Sequence, residues 1–233
     1  MLPPVTLIFL HGGPGLPDYL ETSFKGQFAP DLEVDFYTQK QTADMNEFID
    51  EVDEHVKKAR SQKVVLVGHS WGSILAIEYA RKHSDRVHGL VLIDGVFEGA
   101  EMDAQFEKLM RERGITDQSP LEQKFLSSSE RVISPTYATD LLKQTNTVIL
   151  EKIYPYISKY SATSFFQDNK KPILNIFGEE DIRTPASILK TFGRFSATVR
   201  NHEIRGAGHF PFIREVDRRE IAKEIESFAR HLN

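Results

Sequence analysis

Ser70, Asp181 and His209 are residue types that together can form a nucleophilic site, although they lie far apart in the chain. A serine hydroxyl is a poor nucleophile near neutral pH, so it needs a base within hydrogen-bond reach, and the base needs a carboxylate to orient it. Ser70 lies in a Gly-x-Ser-x-Gly pattern, Asp181 follows Gly178 by three residues, and His209 directly follows Gly208. We therefore predict that Ser70 attacks a carbonyl carbon, that His209 is its base and that Asp181 holds His209.

Other polar residues compete for these roles. Asp94 also follows a strand pattern and is an alternative to Asp181 as the acid. His69 adjoins the nucleophile, but we expect its side chain to point away from it, and we expect a packing role for His11 and a solvated helix position for His55. No cluster of histidines and carboxylates has the spacing of metal ligands, so we predict neither a metal nor a cofactor.

The stretch over residues 64–72, VVLVGHSWG, must position the nucleophile. Four apolar residues that run into Gly-x-Ser-x-Gly are typical of a buried strand that breaks into a sharp turn, with the serine at its apex. Gly68 and Gly72 are needed because side chains at these positions would collide with the following helix. That helix is predicted over residues 73–83, so the order of elements projects Ser70 out of the sheet.

A second strand pattern, over residues 5–10, runs into the loop HGGPG at residues 11–15. Three glycines and a proline in five residues predict a rigid loop whose backbone N–H groups can face a cavity without side chains in the way. An oxyanion hole requires such donors, held about 3 Å from the place where negative charge develops on a carbonyl oxygen. The loop is therefore a candidate oxyanion hole.

The rest of the chain alternates strands with helices. Strand patterns cover residues 32–37, 87–93, 172–177 and 198–204, and helix patterns cover part of 16–30, then 46–60 and 216–232. This alternation predicts an α/β fold whose parallel strands bring the site residues to one edge of the sheet. Several aromatic-rich helices interrupt it, and we predict a helical cap, or lid, over residues 96–168, inserted in a core of residues 1–95 and 169–233.

The composition argues against several classes of protein. The chain has 233 residues, no cysteine and a formal net charge of −5. The absence of cysteine excludes disulfides, thiolate metal sites and a cysteine nucleophile. Basic residues are scattered, so we expect neither nucleic acid nor an anionic membrane as a partner. No stretch reaches the roughly 20 apolar residues that cross a bilayer, and no signal-peptide pattern is present, which together predict a cytoplasmic protein.

The motifs resemble the α/β-hydrolase superfamily, and the resemblance covers nearly the whole chain outside the predicted cap. HGGPG at residues 11–15 and Ser-Trp-Gly-Ser at residues 70–73 resemble the proline iminopeptidase-like branch. The resemblance implies a three-layer α/β-hydrolase fold with a mostly parallel sheet. Its members usually have two strands before the one that ends in His-Gly, whereas this chain begins almost directly at that strand. We therefore expect a sheet of about six strands that lacks the usual two N-terminal ones, with truncation of the sequence as the alternative explanation.

The resemblance also implies residue roles. It assigns the catalytic triad to the serine, histidine and aspartate named above. It assigns the oxyanion hole to the backbone N–H groups of Gly13 and Trp71, with Gly12 as an alternative to Gly13. In this branch, glutamates of the cap hold the free amine of the substrate. Five glutamates of this chain are candidates, and no motif selects among them: Glu98, Glu101, Glu122, Glu130 and Glu151.

We predict a serine hydrolase that cleaves a small ester or amide through an acyl-enzyme intermediate. A proline iminopeptidase-like aminopeptidase ranks second, because the Asp-x-Arg-Gly-x-Gly-x-Ser stretch usual in that branch is replaced by YTQKQT at residues 37–42. A hydrolase of carbon–carbon bonds ranks third, and a non-catalytic ligand-binding protein is the alternative from another class. The expected partner is a small molecule or short peptide. The strand at 32–37 leaves a sheet edge that must be short, covered or paired with a second copy, so a homodimer is one option.

Overall fold

The computed structural model describes residues 4–195 and 197–232. Within them, the central sheet has six strands: β1 (Thr6–Leu10), β2 (Glu33–Phe36), β3 (Val64–His69), β4 (Gly89–Ile93), β5 (Ile173–Gly178) and β6 (Val199–Ile204). Their order across the sheet is β2-β1-β3-β4-β5-β6, and every neighbouring pair is parallel. The carboxyl ends of all these strands therefore lie at the same edge, where α/β sheets bind their ligands.

Helices follow or separate the strands. They are α1 (Leu20–Phe24), α2 (Met45–Lys58), α3 (Trp71–Lys82), α4 (Gly99–Glu112), α5 (Leu121–Phe125), α6 (Ser128–Ile133), α7 (Tyr137–Leu142), α8 (Thr147–Ile157), α9 (Thr163–Asp168), α10 (Ala186–Leu189) and α11 (Glu215–Arg230). A 3₁₀ turn over Lys190–Arg194 extends α10. Helices α4 to α9 all lie between β4 and β5 in the chain, and residues 96–168 are called the helical segment below.

Alternate side chains of the buried strands supply two separate cores. Ile8 and Leu66 belong to the core that also contains the apolar faces of α2 and α3. Leu7 and Val65 belong to the other core, with residues of α1 and α11. Since successive strand side chains point to opposite faces, helices cover both faces of the sheet. The predicted three-layer α/β fold with six parallel strands is confirmed.

The edge strand β2 is short, and side chains from α2 pack against it. Its Asp35 Oδ2 lies 2.6 Å from His55 Nδ1, and the His55 ring stacks on Tyr37 with 3.8 Å between ring centroids. Only 16% of the His55 side chain is exposed, so the expectation of a solvated histidine was wrong. A short edge with charged side chains discourages pairing with other strands. A homodimer through this edge stays a prediction.

None of the helices in the described part of the chain has the length and apolar character needed to cross a bilayer.

Candidate active site

Ser70 occupies the sharp turn between β3 and α3. Its backbone is in an unusual conformation, with φ 50° and ψ −119°, as expected for a serine at the apex of a strand–turn–helix elbow. A Cβ on Gly68 would lie 2.4 Å from the Gly72 carbonyl oxygen, in agreement with the predicted collision with α3. A Cβ on Gly72 would instead lie 1.9 Å from the Leu10 carbonyl oxygen. The expectation for Gly72 is thus corrected, because its close neighbour is the end of β1 rather than the helix.

The structure brings the three predicted site residues together. His209 Nε2 lies 3.0 Å from Ser70 Oγ, and His209 Nδ1 lies 2.8 Å from Asp181 Oδ2. His209 comes from the loop after β6, and Asp181 comes from the loop after β5. Asp181 and His209 are almost fully buried. A base between a hydroxyl and a carboxylate, with one ring nitrogen toward each, has the geometry that nucleophile activation requires.

Asp181 is held by a dense set of donors. Its Oδ1 accepts the backbone N–H groups of Arg183 at 2.7 Å and Thr184 at 3.2 Å, and its Oδ2 accepts the Thr184 hydroxyl at 2.5 Å. Burial alone would raise the pKa of Asp181, but the neighbouring His209 and these hydrogen bonds lower it to about 2. The carboxylate is therefore ionised at neutral pH and can orient the imidazole.

Asp94, the alternative acid, lies nearby but is not bonded to the histidine. Its Oδ1 accepts the Gly178 N–H at 2.8 Å, and its Oδ2 has no hydrogen-bond partner among the described residues. Burial, and then the charge of Asp181, raise the pKa of Asp94 well above its usual value. The structure thus brings Asp181 rather than Asp94 to His209 Nδ1.

The loop at residues 11–15 lies beside Ser70. Gly13 has φ +60°, which is a backbone conformation that glycine adopts at little cost. Gly13 and Trp71 both line the cavity at Ser70. Gly12, the alternative donor, has its N–H occupied by a 2.8 Å hydrogen bond to Tyr19 Oη. The N–H of Trp71, the first residue of α3, has no acceptor within the helix, as for any first helical residue.

Gln39 supports this loop, and sequence reasoning did not find it. Its backbone N–H donates to His11 Nε2 at 3.0 Å, and its side-chain amide donates to the His11 carbonyl at 2.8 Å. Its Oε1 accepts the Trp71 Nε1–H at 3.1 Å. Burial lowers the pKa of His11 to about 4, so this imidazole is neutral and accepts the bond. Gln39 therefore connects the loop at residues 11–15 to Trp71, the residue after Ser70.

A chain of hydrogen bonds connects the same loop with residues 205–214, which follow β6, carry His209 and are called the histidine loop below. Gly12 N–H donates to Tyr19 Oη, which lies 2.5 Å from His69 Nδ1, and His69 Nε2 lies 2.7 Å from the His209 carbonyl oxygen. Burial, reinforced by the nearby His209, lowers the pKa of His69 to about 3. The ring nitrogens of His69 thus face Tyr19 and the His209 backbone rather than the Ser70 hydroxyl, and the centroid of its ring lies 5.1 Å from that of the His209 ring.

A cavity of about 220 Å³ opens at Ser70 and is lined mainly by apolar side chains. Its walls come from the loop at 11–15, the turn at Ser70, the histidine loop and the helical segment. Arg183 is its one lining residue that carries a permanent charge, and Asp103 Oδ1 lies 2.9 Å from Arg183 Nη1. The lining residues are Gly13, Pro14, Leu16, Tyr19, His69, Ser70, Trp71, Val96, Phe125, Leu142, Thr145, Leu150, Tyr154, Ile157, Arg183, His209 and Phe210.

The five candidate glutamates of the helical segment are absent from this lining. Glu98 accepts hydrogen bonds from the Ser161 and Thr163 hydroxyls, and Glu122 accepts one from the Thr139 N–H. Glu101 and Glu151 are exposed, and Glu130 is buried against the histidine loop. The cavity as described therefore offers no carboxylate to a substrate amine.

Within residues 4–195 and 197–232, no three His, Cys, Asp or Glu side chains are grouped as a metal site would require.

Comparisons with known proteins agree with this architecture. A proline iminopeptidase from Chitinophaga pinensis is 31% identical over 124 residues, which are 46% of this chain and 41% of the relative. One from Elizabethkingia meningoseptica is 28% identical over 155 residues, or 60% of this chain and 51% of the relative. The chain thus spans about half the length of these curated relatives, or less.

Two solved structures share the fold over nearly their whole length. A proline iminopeptidase-related protein from Thermus thermophilus superposes with a TM-score of 0.77 at 14% identity, covering 97% of this chain and 89% of the other. An esterase from Exiguobacterium antarcticum gives a TM-score of 0.76 at 15% identity, covering 99% and 93%. A model of the α/β hydrolase fold matches residues 5–216. The chain belongs to the α/β-hydrolase family.

Proposed function

We propose that this protein is a serine hydrolase that cleaves small esters of apolar acids through an acyl-enzyme intermediate. The observation that carries the proposal is the position of His209, 3.0 Å from the Ser70 hydroxyl and 2.8 Å from the Asp181 carboxylate, at the wall of an apolar cavity. The esterases and proline iminopeptidases among its relatives support hydrolytic chemistry.

Acylation begins when His209 Nε2 accepts the hydroxyl proton of Ser70 as Oγ bonds to the substrate carbonyl carbon. The carbonyl electron pair moves to oxygen, and the N–H groups of Gly13 and Trp71 stabilise the resulting oxyanion. Asp181 holds Nδ1–H and stabilises the imidazolium. The carbon–oxygen bond to the leaving group then breaks, and His209 gives its proton to the departing alcohol.

Deacylation repeats the sequence with water. The water molecule gives a proton to His209 as its oxygen bonds to the acyl carbon, and collapse of the second oxyanion releases the carboxylic acid. Ser70 recovers its proton from His209, so the enzyme returns to its starting state. No other reactant is needed.

The character of the cavity favours an uncharged acyl group. A substrate with a free amine would place a cation among apolar side chains without a carboxylate partner, which costs several kcal/mol unless the amine loses its proton. An apolar cavity of roughly 150 Å³ can hold benzene, so 220 Å³ suits a short acyl chain or a single ring. We assign the helical segment, which supplies Phe125, Leu142 and Leu150 to this cavity, as a cap over the site.

An aminopeptidase is the second candidate, since the relatives from Chitinophaga pinensis and Elizabethkingia meningoseptica are proline iminopeptidases. The comparison of substrates is therefore the sharpest test of specificity. We expect kcat/KM for p-nitrophenyl acetate or butyrate to exceed that for the dodecanoate at least tenfold, with negligible hydrolysis of prolyl-β-naphthylamide. Faster release from the prolyl amide would reverse the ranking of the two functions.

The role of Ser70 is tested by covalent labelling. A fluorophosphonate probe should label the wild-type protein and fail to label Ser70→Ala, and the variant should lose on the order of 10⁶ in kcat. Ser84, an exposed serine in the turn after α3, provides the control, because Ser84→Ala should label normally. Labelling of Ser70→Ala, or an absence of both labelling and turnover in the wild type, would refute the proposal and leave a ligand-binding protein.

A further inference from the structure

The helical segment contacts the histidine loop through backbone groups next to the base. The His209 N–H donates to the Phe125 carbonyl at 2.8 Å, and the Gly208 N–H donates to Glu130 Oε2 at 2.9 Å. A Cβ on Gly208 would lie 2.6 Å from Glu130 Oε2 and 2.6 Å from the Phe125 carbonyl oxygen. Glycine at 208 is therefore what allows the two chain segments to approach so closely.

Glu130 has more than one local role. It is the third residue of α6 and forms a capping box with Ser127, whose N–H donates to Glu130 Oε2 at 2.7 Å. A capping box alone is satisfied at the surface of a protein. Here the carboxyl group is fully buried, and the same oxygen also accepts the Gly208 N–H, while Oε1 has no partner among the described residues. Burying a carboxylate is costly unless hydrogen bonds offset the loss of water, and the Gly208 N–H is one of the two backbone donors that do so here.

We propose that Glu130 is a positioning residue for the catalytic base: by holding the Gly208 N–H, its carboxylate fixes the histidine loop so that His209 Nε2 faces Ser70. This inference rests on the proposed function, because it takes His209 as the base. Glu130 lies outside the cavity lining and contacts no reacting atom, so it acts only through the backbone of the loop. It also makes the helical segment part of the machinery that aligns the base.

The charge of Glu130 is poised to change near neutral pH. Burial raises its pKa to about 7, although its hydrogen bonds and Arg214 oppose the rise. The other ionisable groups that interact with its charge are Tyr137 of α7 and Asp94 after β4. Glu180, after β5, lies at the first residue of α6, where its Oε2 accepts the Ser128 N–H at 3.4 Å. Each of these groups is negative or neutral and cannot stabilise a second carboxylate. The positive charge of Arg214 does favour the ionised form of Glu130.

A hydrogen bond to a carboxylate is roughly twice as strong as one to a neutral group. Glu130→Gln keeps an oxygen acceptor but removes the charge, so it imitates the protonated carboxyl group. We expect this variant to lower kcat about tenfold at pH 8.5, with KM within twofold of wild type. Because the wild-type group is protonated at low pH, the difference in kcat should shrink to less than twofold at pH 5.5.

Glu122 provides a matched control in the same segment. It is a buried glutamate of α5 whose Oε1 accepts the Thr139 N–H at 2.8 Å, within the helical segment, and in the described part of the chain its carboxylate has no hydrogen bond to the histidine loop. Glu122→Gln should therefore leave kcat and its pH profile unchanged. Equal losses in both variants, or a ratio of wild-type to Glu130→Gln activity that does not vary with pH, would overturn the positioning role.

Hydrogen exchange tests the same contact without any assay of activity. At pH 8, a peptide that contains Gly208 and His209 should exchange at least fivefold faster in full-length Glu130→Gln than in the wild type or in Glu122→Gln. Unchanged exchange would overturn the positioning role even if kcat of Glu130→Gln is lowered. Wild-type protein without turnover or fluorophosphonate labelling would instead overturn the proposed function, so the two failures are distinguishable.

Discussion

Two aspartates at the ends of adjacent strands have opposite environments. Asp94 follows β4, Asp181 lies in the loop after β5, and both side chains are buried. Asp181 accepts the N–H groups of Arg183 and Thr184, the Thr184 hydroxyl and His209, and its pKa falls to about 2. Asp94 accepts one N–H group, from Gly178, and its pKa is raised by burial and by the charge of Asp181.

This difference shows that a position after the end of a strand does not by itself decide which aspartate pairs with His209. Both residues sit at the edge where a parallel sheet collects functional groups, and both have the same side chain. What separates them is the number of donors aimed at each carboxyl group, since hydrogen bonds to the charged form offset the cost of burial. The loop after β5 folds its own N–H groups back onto Asp181, whereas the chain after β4 does not do so for Asp94.

Replacing the paired acid should have the largest effect. In Asp181→Asn the amide cannot stabilise the imidazolium, and its NH₂ group favours the wrong tautomer of His209. We expect kcat for p-nitrophenyl butyrate to fall on the order of 10³ to 10⁴-fold with little change in KM. Steady-state kinetics at pH 8 checks this. A loss below tenfold would mean that another group orients the base, and the contrast between the two aspartates would disappear.

Thr184 should have an intermediate effect, because its hydroxyl is one of several donors to Asp181. Thr184→Val keeps the shape of the side chain and both backbone donors but removes the 2.5 Å hydrogen bond to Oδ2. We expect kcat to fall about tenfold. Thr191→Val is the control, since the Thr191 hydroxyl donates to the Ile188 carbonyl and has no contact with the site. Equal activity of the two variants would show that the backbone N–H groups suffice.

Asp94 should tolerate the same replacement that disables Asp181. In Asp94→Asn the amide oxygen can still accept the Gly178 N–H, and the substitution removes no charge if the acid is already neutral. We expect kcat within threefold of wild type, measured beside Asp181→Asn in the same assay. A loss comparable to that of Asp181→Asn would assign the acid role to both residues.

The stability of Asp94→Asn should depend on pH in a defined direction. A carboxyl group whose pKa is raised on folding stabilises the protein below its unfolded pKa, near 3.8, and this contribution declines as the pH rises. Asparagine does not titrate, so the variant should gain free energy of unfolding relative to wild type as the pH increases from 4 to 8. Urea unfolding at both pH values provides the measurement. A constant difference would contradict the assigned shift.

Much of the α/β core could be predicted from the sequence, because its apolar runs and glycine motifs are clear patterns among neighbouring residues. The apolar run before Gly-x-Ser-x-Gly, and the glycines that precede Asp181 and His209, each mark the end of a parallel strand. Once parallel strands are assumed, their carboxyl ends must share one edge, so distant residues converge without further information. This is why the pairing of His209 with Ser70 was predictable over a separation of 139 residues.

Contacts between elements were harder to predict from the sequence. Gln39 and Tyr19 stand in stretches without a motif, and nothing in their spacing indicates that they support the loop at 11–15. Ser127 and Glu130 do have the spacing of a capping box, which was a usable signal for the start of α6. Periodicity could not show that the same carboxylate reaches Gly208, because docking of the helical segment depends on side-chain packing across the whole interface.

The order of the strands in the sheet has a consequence for when the candidate site forms during folding. β6 pairs with β5 at one border of the sheet, and the imidazole that must meet Ser70 is attached beyond it. A chain folded only as far as β4 would contain the turn at Ser70 but would lack both Asp181 and His209 at the site. If turnover requires His209 beside Ser70, it also requires β6 to be docked on β5, so we expect the appearance of turnover during refolding to report completion of the sheet rather than growth of secondary structure.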